Sequence, residues 1–143
     1  MDECKSFLKK HIENDNILVF SSILFLIPAY VAYINELHIH CFTTVFTTII
    51  SIHNWLQYRY TNESTNLDIY VSRLSFLIYS LSGFYIVKSN ILLLIGSCNI
   101  AFICIFYYLS HNSIGKEDKI TENIFHFLFH FCVLFGKLLV VVL

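Results

Sequence analysis

The sequence predicts an all-α fold, a polytopic transmembrane helical bundle of about five spans. Three observations predict it. Hydrophobic residues make up 57% of the 143-residue chain and charged residues only 13%, against roughly a quarter charged in an ordinary soluble domain. The apolar residues gather in runs close to the ~20 residues that a helix needs to cross a bilayer. Short polar breaks separate those runs, and no repeat or low-complexity linker interrupts them. Residues 17–143 therefore read as a single five-helix domain behind a charged N-terminal segment, 1–16.

That segment carries Lys5, Lys9, Lys10, Glu13 and Asp15. The apolar run after it is too long for a removed signal peptide and has no small-residue cleavage site, so it is expected to stay as the first span. Span one runs about Ile17 to Ile34, broken only by Ser21, Ser22 and Pro28, which membrane helices tolerate. Asn35-Glu36-Leu37 turns the chain. Span two, about His38 to Tyr58, is rich in Thr and Ile and ends on His53, Trp55 and Tyr58 at an interfacial level, with Tyr60 beyond. Thr61 to Asn66 reads as a polar loop, and span three, about Leu67 to Val87, opens on Asp68. Lys88-Ser89-Asn90 makes a tight turn into span four, about Ile91 to Leu109. A longer loop, Ser110 to Ile120, holds His111, Gly115 and the run Lys116-Glu117-Asp118-Lys119. Span five, about Thr121 to Leu143, carries His126 and His130.

A net charge of −1 with no basic tract removes the electrostatic basis for nucleic-acid binding. Cys4, Cys41, Cys98, Cys104 and Cys132 lack paired spacing and read as small hydrophobes. Five antiparallel spans put His53, Asp68, His126, His130, Ser21 and Ser22 in the leaflet next to the N-terminus. Asp68, Ser72, Ser75, Tyr79 and Ser82 follow helical spacing and form a polar stripe expected to face the bundle interior. His126, His130, Val133 and Lys137 share a face of span five, with Lys137 expected to reach toward the opposite interface. His38, His40, His11 and His111 read as surface histidines, and Asn99 as a contact between helices. Lys5, Lys9, Lys10, Arg59, Lys116 and Lys119 lie on the N-terminal side, against Lys88 and Lys137 on the other. The positive-inside rule then predicts a cytosolic N-terminus and a C-terminus on the opposite side. The sequon Asn62-Glu63-Ser64 falls on the cytosolic side, where it is expected to stay unused.

Ionisable side chains inside a membrane span point to function. His126 and His130, four residues apart, stack on one helix face about 6 Å apart along the axis. With His53 they offer three imidazoles from two helices, the set that holds a catalytic zinc and leaves a fourth position for water. Asp68 would orient a ligand or take a proton from that water. A hydroxyl from Ser21, Ser22, Ser72 or Ser75 would help hold the oxyanion formed when water attacks an acyl carbonyl. The substrate expected at such depth is a lipid amide or ester in the bilayer. Three other readings stand beside this one. The histidines are packing residues of a non-catalytic structural or interaction protein; Asp68 sits where a helix dipole favours an acid; or the histidines ligate haem in an electron-transfer bundle. A pair on one face with one lone partner suits zinc better than haem.

His53 in span two, Leu67-Asp68 at the start of the next span with Ser75 seven residues on, and His126-x-x-x-His130 in the last span resemble the alkaline ceramidase-like and adiponectin-receptor-like membrane proteins of the CREST superfamily. The resemblance implies a seven-helix bundle with zinc held by three histidines near the cytosolic side. It also implies hydrolysis of amide bonds in ceramide-type lipids or related acyl substrates. On this pattern His53, His126 and His130 take the zinc and Asp68 is the acid beside the metal-bound water. The family's serine, four residues before the first histidine, is Ile49 here, so its role is vacant or passes to another helix, with Ser22 and Ser75 as candidates. The chain is also one helical hairpin short of the family.

Overall fold

The structure, a computed structural model, describes residues 16–58, 62–113 and 119–143, which are helical with no strand among them. The first apolar run forms two helices, α1 (Asn16–Ile23) and α2 (Leu26–Ile34). Pro28 explains the break. It has no N–H to give the Leu24 carbonyl, and its ring crowds that carbonyl. Leu24 instead accepts from Ile27 N at 3.0 Å, a tighter turn that swings Phe25 inward to 4% exposure. The expected uninterrupted span is thus kinked, and the kink places an aromatic ring in the bundle.

Glu36 ends α2 in the left-handed region, with φ of 59°. Leu37 N reaches Ala32 O at 2.8 Å and Glu36 N reaches Tyr33 O at 3.2 Å, the two bonds of a Schellman closure. Asn35 Nδ2 also donates to Val141 O at 2.6 Å, tying this corner to the last turn of the final helix.

Next come α3 (His38–His53) and a π-helical turn, Asn54–Tyr58. The fourth helix, α4 (Asn62–Ile86), starts earlier than expected, so 62–66 is helix rather than loop. Asp68 accordingly lies beyond the first turn, which removes the helix-dipole account of its position. A turn through Val87, Lys88 and Ser89 leads to α5 (Asn90–Ser113). That helix carries Ser110 to Ser113 within it, so the first four residues of the expected loop are helical, and 114–118, with the Lys116-Glu117-Asp118 part of the charged run, lie outside the described residues. The last helix is α6 (Lys119–Val142).

Helix α6 packs most extensively on α5 and also meets α1, α2 and α4, while α3 lies against α1, α2 and α4. By contrast α4 and α5, although joined by a tight turn, barely touch. Four helical stretches are long and apolar enough to cross a membrane: Asn16–Ile34, Thr65–Ile86, Asn90–Ser113 and Lys119–Val142. The His38–His53 helix is shorter, at 16 residues, and continues only through the π-helical turn.

Polarity is inverted relative to a soluble bundle. Phe42 and Ile91 are each 72% exposed, whereas Thr48 and Ser75 are 1% exposed, with Thr44, His130 and Lys137 also buried. A soluble protein hides its large apolar side chains; this one turns them outward, as a hydrocarbon solvent allows.

Candidate functional site

A cavity of about 250 Å³ opens among α3, α4, α5 and α6, with Phe25 from the break between α1 and α2 on its wall. The α4 stripe supplies Asp68, Ser72 and Ser75; α6 supplies His126, His130, Val133 and Lys137. Both sets follow from helical spacing, and both faces turn inward as expected. Tyr79, next on the α4 stripe, is buried, and Ser82 is half-buried.

The two imidazoles meet edge to face with ring centroids 4.8 Å apart. Each is held from behind by a serine: His130 Nδ1 lies 2.7 Å from Ser21 Oγ, and His126 Nδ1 lies 3.1 Å from Ser110 Oγ. Ser21 Oγ also donates to Leu18 O at 3.0 Å. A hydroxyl has one proton to give, so Nδ1–H of His130 donates to Ser21. Its Nε2 is then the acceptor, with a lone pair available to a ligand or a proton. Phe25 at 5.3 Å holds the His130 ring, and Trp55 at 4.8 Å holds the His126 ring. Trp55, expected at the interface, instead packs against the site.

Asp68 Oδ2 accepts from Asn54 Nδ2 at 3.3 Å, and Thr65 Oγ1 donates to Asn54 Oδ1 at 3.4 Å. The π-helical turn thus orients the carboxylate, since Asn54 is its first residue. The Asp68 carboxylate also has the Ser51 and Ser72 hydroxyls beside it, although Oδ1 makes no hydrogen bond of good geometry, and Ser75 Oγ is buried without a partner. Buried polar atoms of this kind are rare and ask for a water, ion or ligand.

The other residues picked from the sequence separate from this group. His53 is exposed and does not line the cavity. Among the described residues no group of three His, Cys, Asp or Glu side chains comes together to hold a metal ion. The histidine triad expected for zinc is therefore not assembled among the described residues: His126 and His130 come together, and His53 does not join them. Ser22 Oγ donates to Leu18 O at 2.8 Å, a bond back onto its own helix, and does not line the cavity. Lys137, expected to reach an interface, is 3% exposed at the cavity wall. His40, expected at the surface, is 7% exposed, with the Tyr79 ring edge-on at 4.8 Å. Asn99 does join helices, donating to Cys132 O at 3.0 Å.

Phe25, Ser51, Tyr107 and Ser110 were not singled out from the sequence. Thr44, Thr47, Thr48 and Ser51 mark a polar helix face by their spacing, as do Ile103, Tyr107 and Ser110 an inner one. Phe25 carried no comparable signal, because its position depends on the Pro28 kink.

No family model matches the chain, and neither a curated protein nor a solved structure matches it.

Proposed function

We propose that the chain is a membrane-embedded hydrolase of acyl lipids, acting on an amide or ester bond at the histidine–aspartate end of the large cavity. One observation carries this reading: two imidazoles, a carboxylate and the unpartnered hydroxyl of Ser75 open together on one cavity whose wall is mostly apolar. Such a cavity suits a hydrocarbon chain, while its few polar groups suit one scissile carbonyl. The activity is also the one implied by the resemblance of His53, Asp68 and His126-x-x-x-His130 to the CREST pattern.

In this reading His130 Nε2 takes a proton from water as that water attacks the acyl carbon. Ser75 Oγ–H donates to the carbonyl oxygen as it gains charge. Asp68, on the wall of the same cavity, adds a negative charge that favours the resulting imidazolium, and the proton passes to the departing amine or alcohol as the acyl–N or acyl–O bond breaks. The exposed position of His53 gives zinc only two histidine ligands, and no step is routed through a metal.

The test is turnover of fluorescent N-acyl and O-acyl lipids by detergent-purified protein. Activity reduced at least about a hundredfold in both His130→Ala and Asp68→Asn is expected. Turnover of no acyl lipid, or full activity in both variants, overturns the proposal. Metal content is read on the same preparation. The two-histidine geometry predicts less than stoichiometric zinc; about one zinc per chain, lost in His126→Ala and His130→Ala, would instead restore the three-histidine centre.

A further inference from the structure

Lys137 lies two turns beyond His130 on α6, buried in the bundle. Its Nζ is 3.4 Å from Thr44 Oγ1, 5.2 Å from the centre of the Phe25 ring and 5.0 Å from that of Tyr79. The acceptors beyond it are already used. Tyr79 OH donates to His40 O at 3.2 Å, so the 2.7 Å contact between Thr44 and Tyr79 takes the Thr44 proton. The ammonium is left with one long hydrogen bond and two ring faces, and it has three N–H donors. No carboxylate pairs with it among the described residues. An intramembrane cation ordinarily has an anionic or carbonyl partner.

A second, smaller cavity of about 70 Å³ lies between α4, α5 and α6, where α4 and α5 stand apart. Lys137, Phe76, Ile103 and Val133 wall both cavities. Away from Lys137 its lining is mostly hydrocarbon and glycine, with Gly83, Gly96, Phe84, Leu93 and Leu139 among them, and Ser80, Ser97 and Asn99 add a few neutral polar groups but no second charge. The result is a narrow, mostly apolar slot walled at one place by the Lys137 amine, which has no carboxylate partner among the described residues.

We propose that Lys137 anchors a long-chain carboxylate, whose head pairs with the ammonium while its tail runs out along the open slot between α4 and α5 into the surrounding hydrocarbon. One cation with two ring faces beside it suits a small monoanion. A phosphate headgroup would bring a bulkier, more hydrated anion and, in a diacyl lipid, a second tail for which the slot has no room. This site goes beyond hydrolysis, because it needs no scissile bond.

The experiment is equilibrium binding of radiolabelled palmitate and hexadecanol, which share a tail but differ in charge, to delipidated protein in detergent. Palmitate should bind saturably and more tightly than hexadecanol. Its affinity should fall about thirtyfold or more in Lys137→Gln and recover to within a few-fold in Lys137→Arg, while hexadecanol ignores both changes. A Cβ at Gly96 would meet only Leu139 Cδ2, at 3.6 Å. Gly96→Leu therefore fills the slot with Lys137 intact, and palmitate binding should be lost. Equal palmitate affinity in wild type and Lys137→Gln, unchanged binding in Gly96→Leu, or no saturable binding overturns the assignment. Because palmitate cannot be hydrolysed, failure of the hydrolase reading would leave this result untouched.

Discussion

Ser75 is the residue on which ligand-free stability and function pull in opposite directions. Its hydroxyl is 1% exposed and unpartnered, at the wall of the large cavity. An unsatisfied buried hydroxyl costs about 1–3 kcal/mol, and alanine fits the same space. Ser75→Ala should therefore stabilise the ligand-free protein by about 1 kcal/mol and raise its melting temperature in detergent. The same change should slow lipid hydrolysis at least about tenfold if the hydroxyl donates to the substrate carbonyl. Loss of stability would mean that the hydroxyl is already satisfied; greater stability with full activity would remove it from the chemistry. Ser22, whose hydroxyl bonds to its own helix, serves as a contrast, because Ser22→Ala should leave turnover intact.

The corner between α2 and α3 shows how one residue limits an element. Glu36 is an L-residue at φ of 59°, where the side chain crowds its own backbone at a cost of roughly 1–2 kcal/mol. The hydrogen bonds from Leu37 N and Glu36 N stay in place whatever the side chain. Glu36→Gly should then stabilise the protein by about 0.5–1 kcal/mol, after allowing for the extra chain entropy of glycine. A lower melting temperature in Glu36→Gly would show that the carboxylate makes a stabilising contact that outweighs the strain. The helices themselves, and the four stretches long and apolar enough to cross a membrane, were legible, because hydropathy runs and helical spacing act over many residues. The inward stripe Asp68, Ser72, Ser75, Tyr79 and the face of His126, His130 and Lys137 were legible for the same reason. What was not legible depended on partners distant in sequence. Lys137 has the stem to reach an interface, and only the rings of Phe25 and Tyr79 beside it show why it stays inside. His53 was expected at the same depth as Asp68, His126 and His130, but an expected depth does not fix which side of α3 it occupies. Ser110 read as loop because serine, histidine and asparagine follow one another there, although its bond to His126 holds it in helix.

For the whole molecule the open structural quantity is the number of crossings, and α3 decides it. Its 16 residues rise about 24 Å, short of the roughly 30 Å hydrocarbon core, and the π-helical turn Asn54–Tyr58 must supply the rest. The packing argues that it does. At one end Tyr79 OH donates to His40 O, and at the other Asn54 donates to Asp68, so α3 runs antiparallel beside α4 over this whole stretch. If Thr65–Ile86 crosses, its neighbour crosses with it. An odd number of crossings would put the two ends on opposite sides, and the lysine and arginine bias predicts the N-terminal end in the cytosol. In sealed, cytosol-side-out vesicles an epitope at the N-terminus should therefore be cut by added protease, and one at the C-terminus only after detergent. Both epitopes cut before detergent would mean four crossings, with α3 resting in the interface. The carboxylate and imidazoles of the large cavity would then sit beside a helix in contact with water rather than within a closed ring of spans. The reverse pattern, with only the C-terminal epitope cut, would keep five crossings and invert the bundle, opening the histidine end of the cavity away from the cytosol.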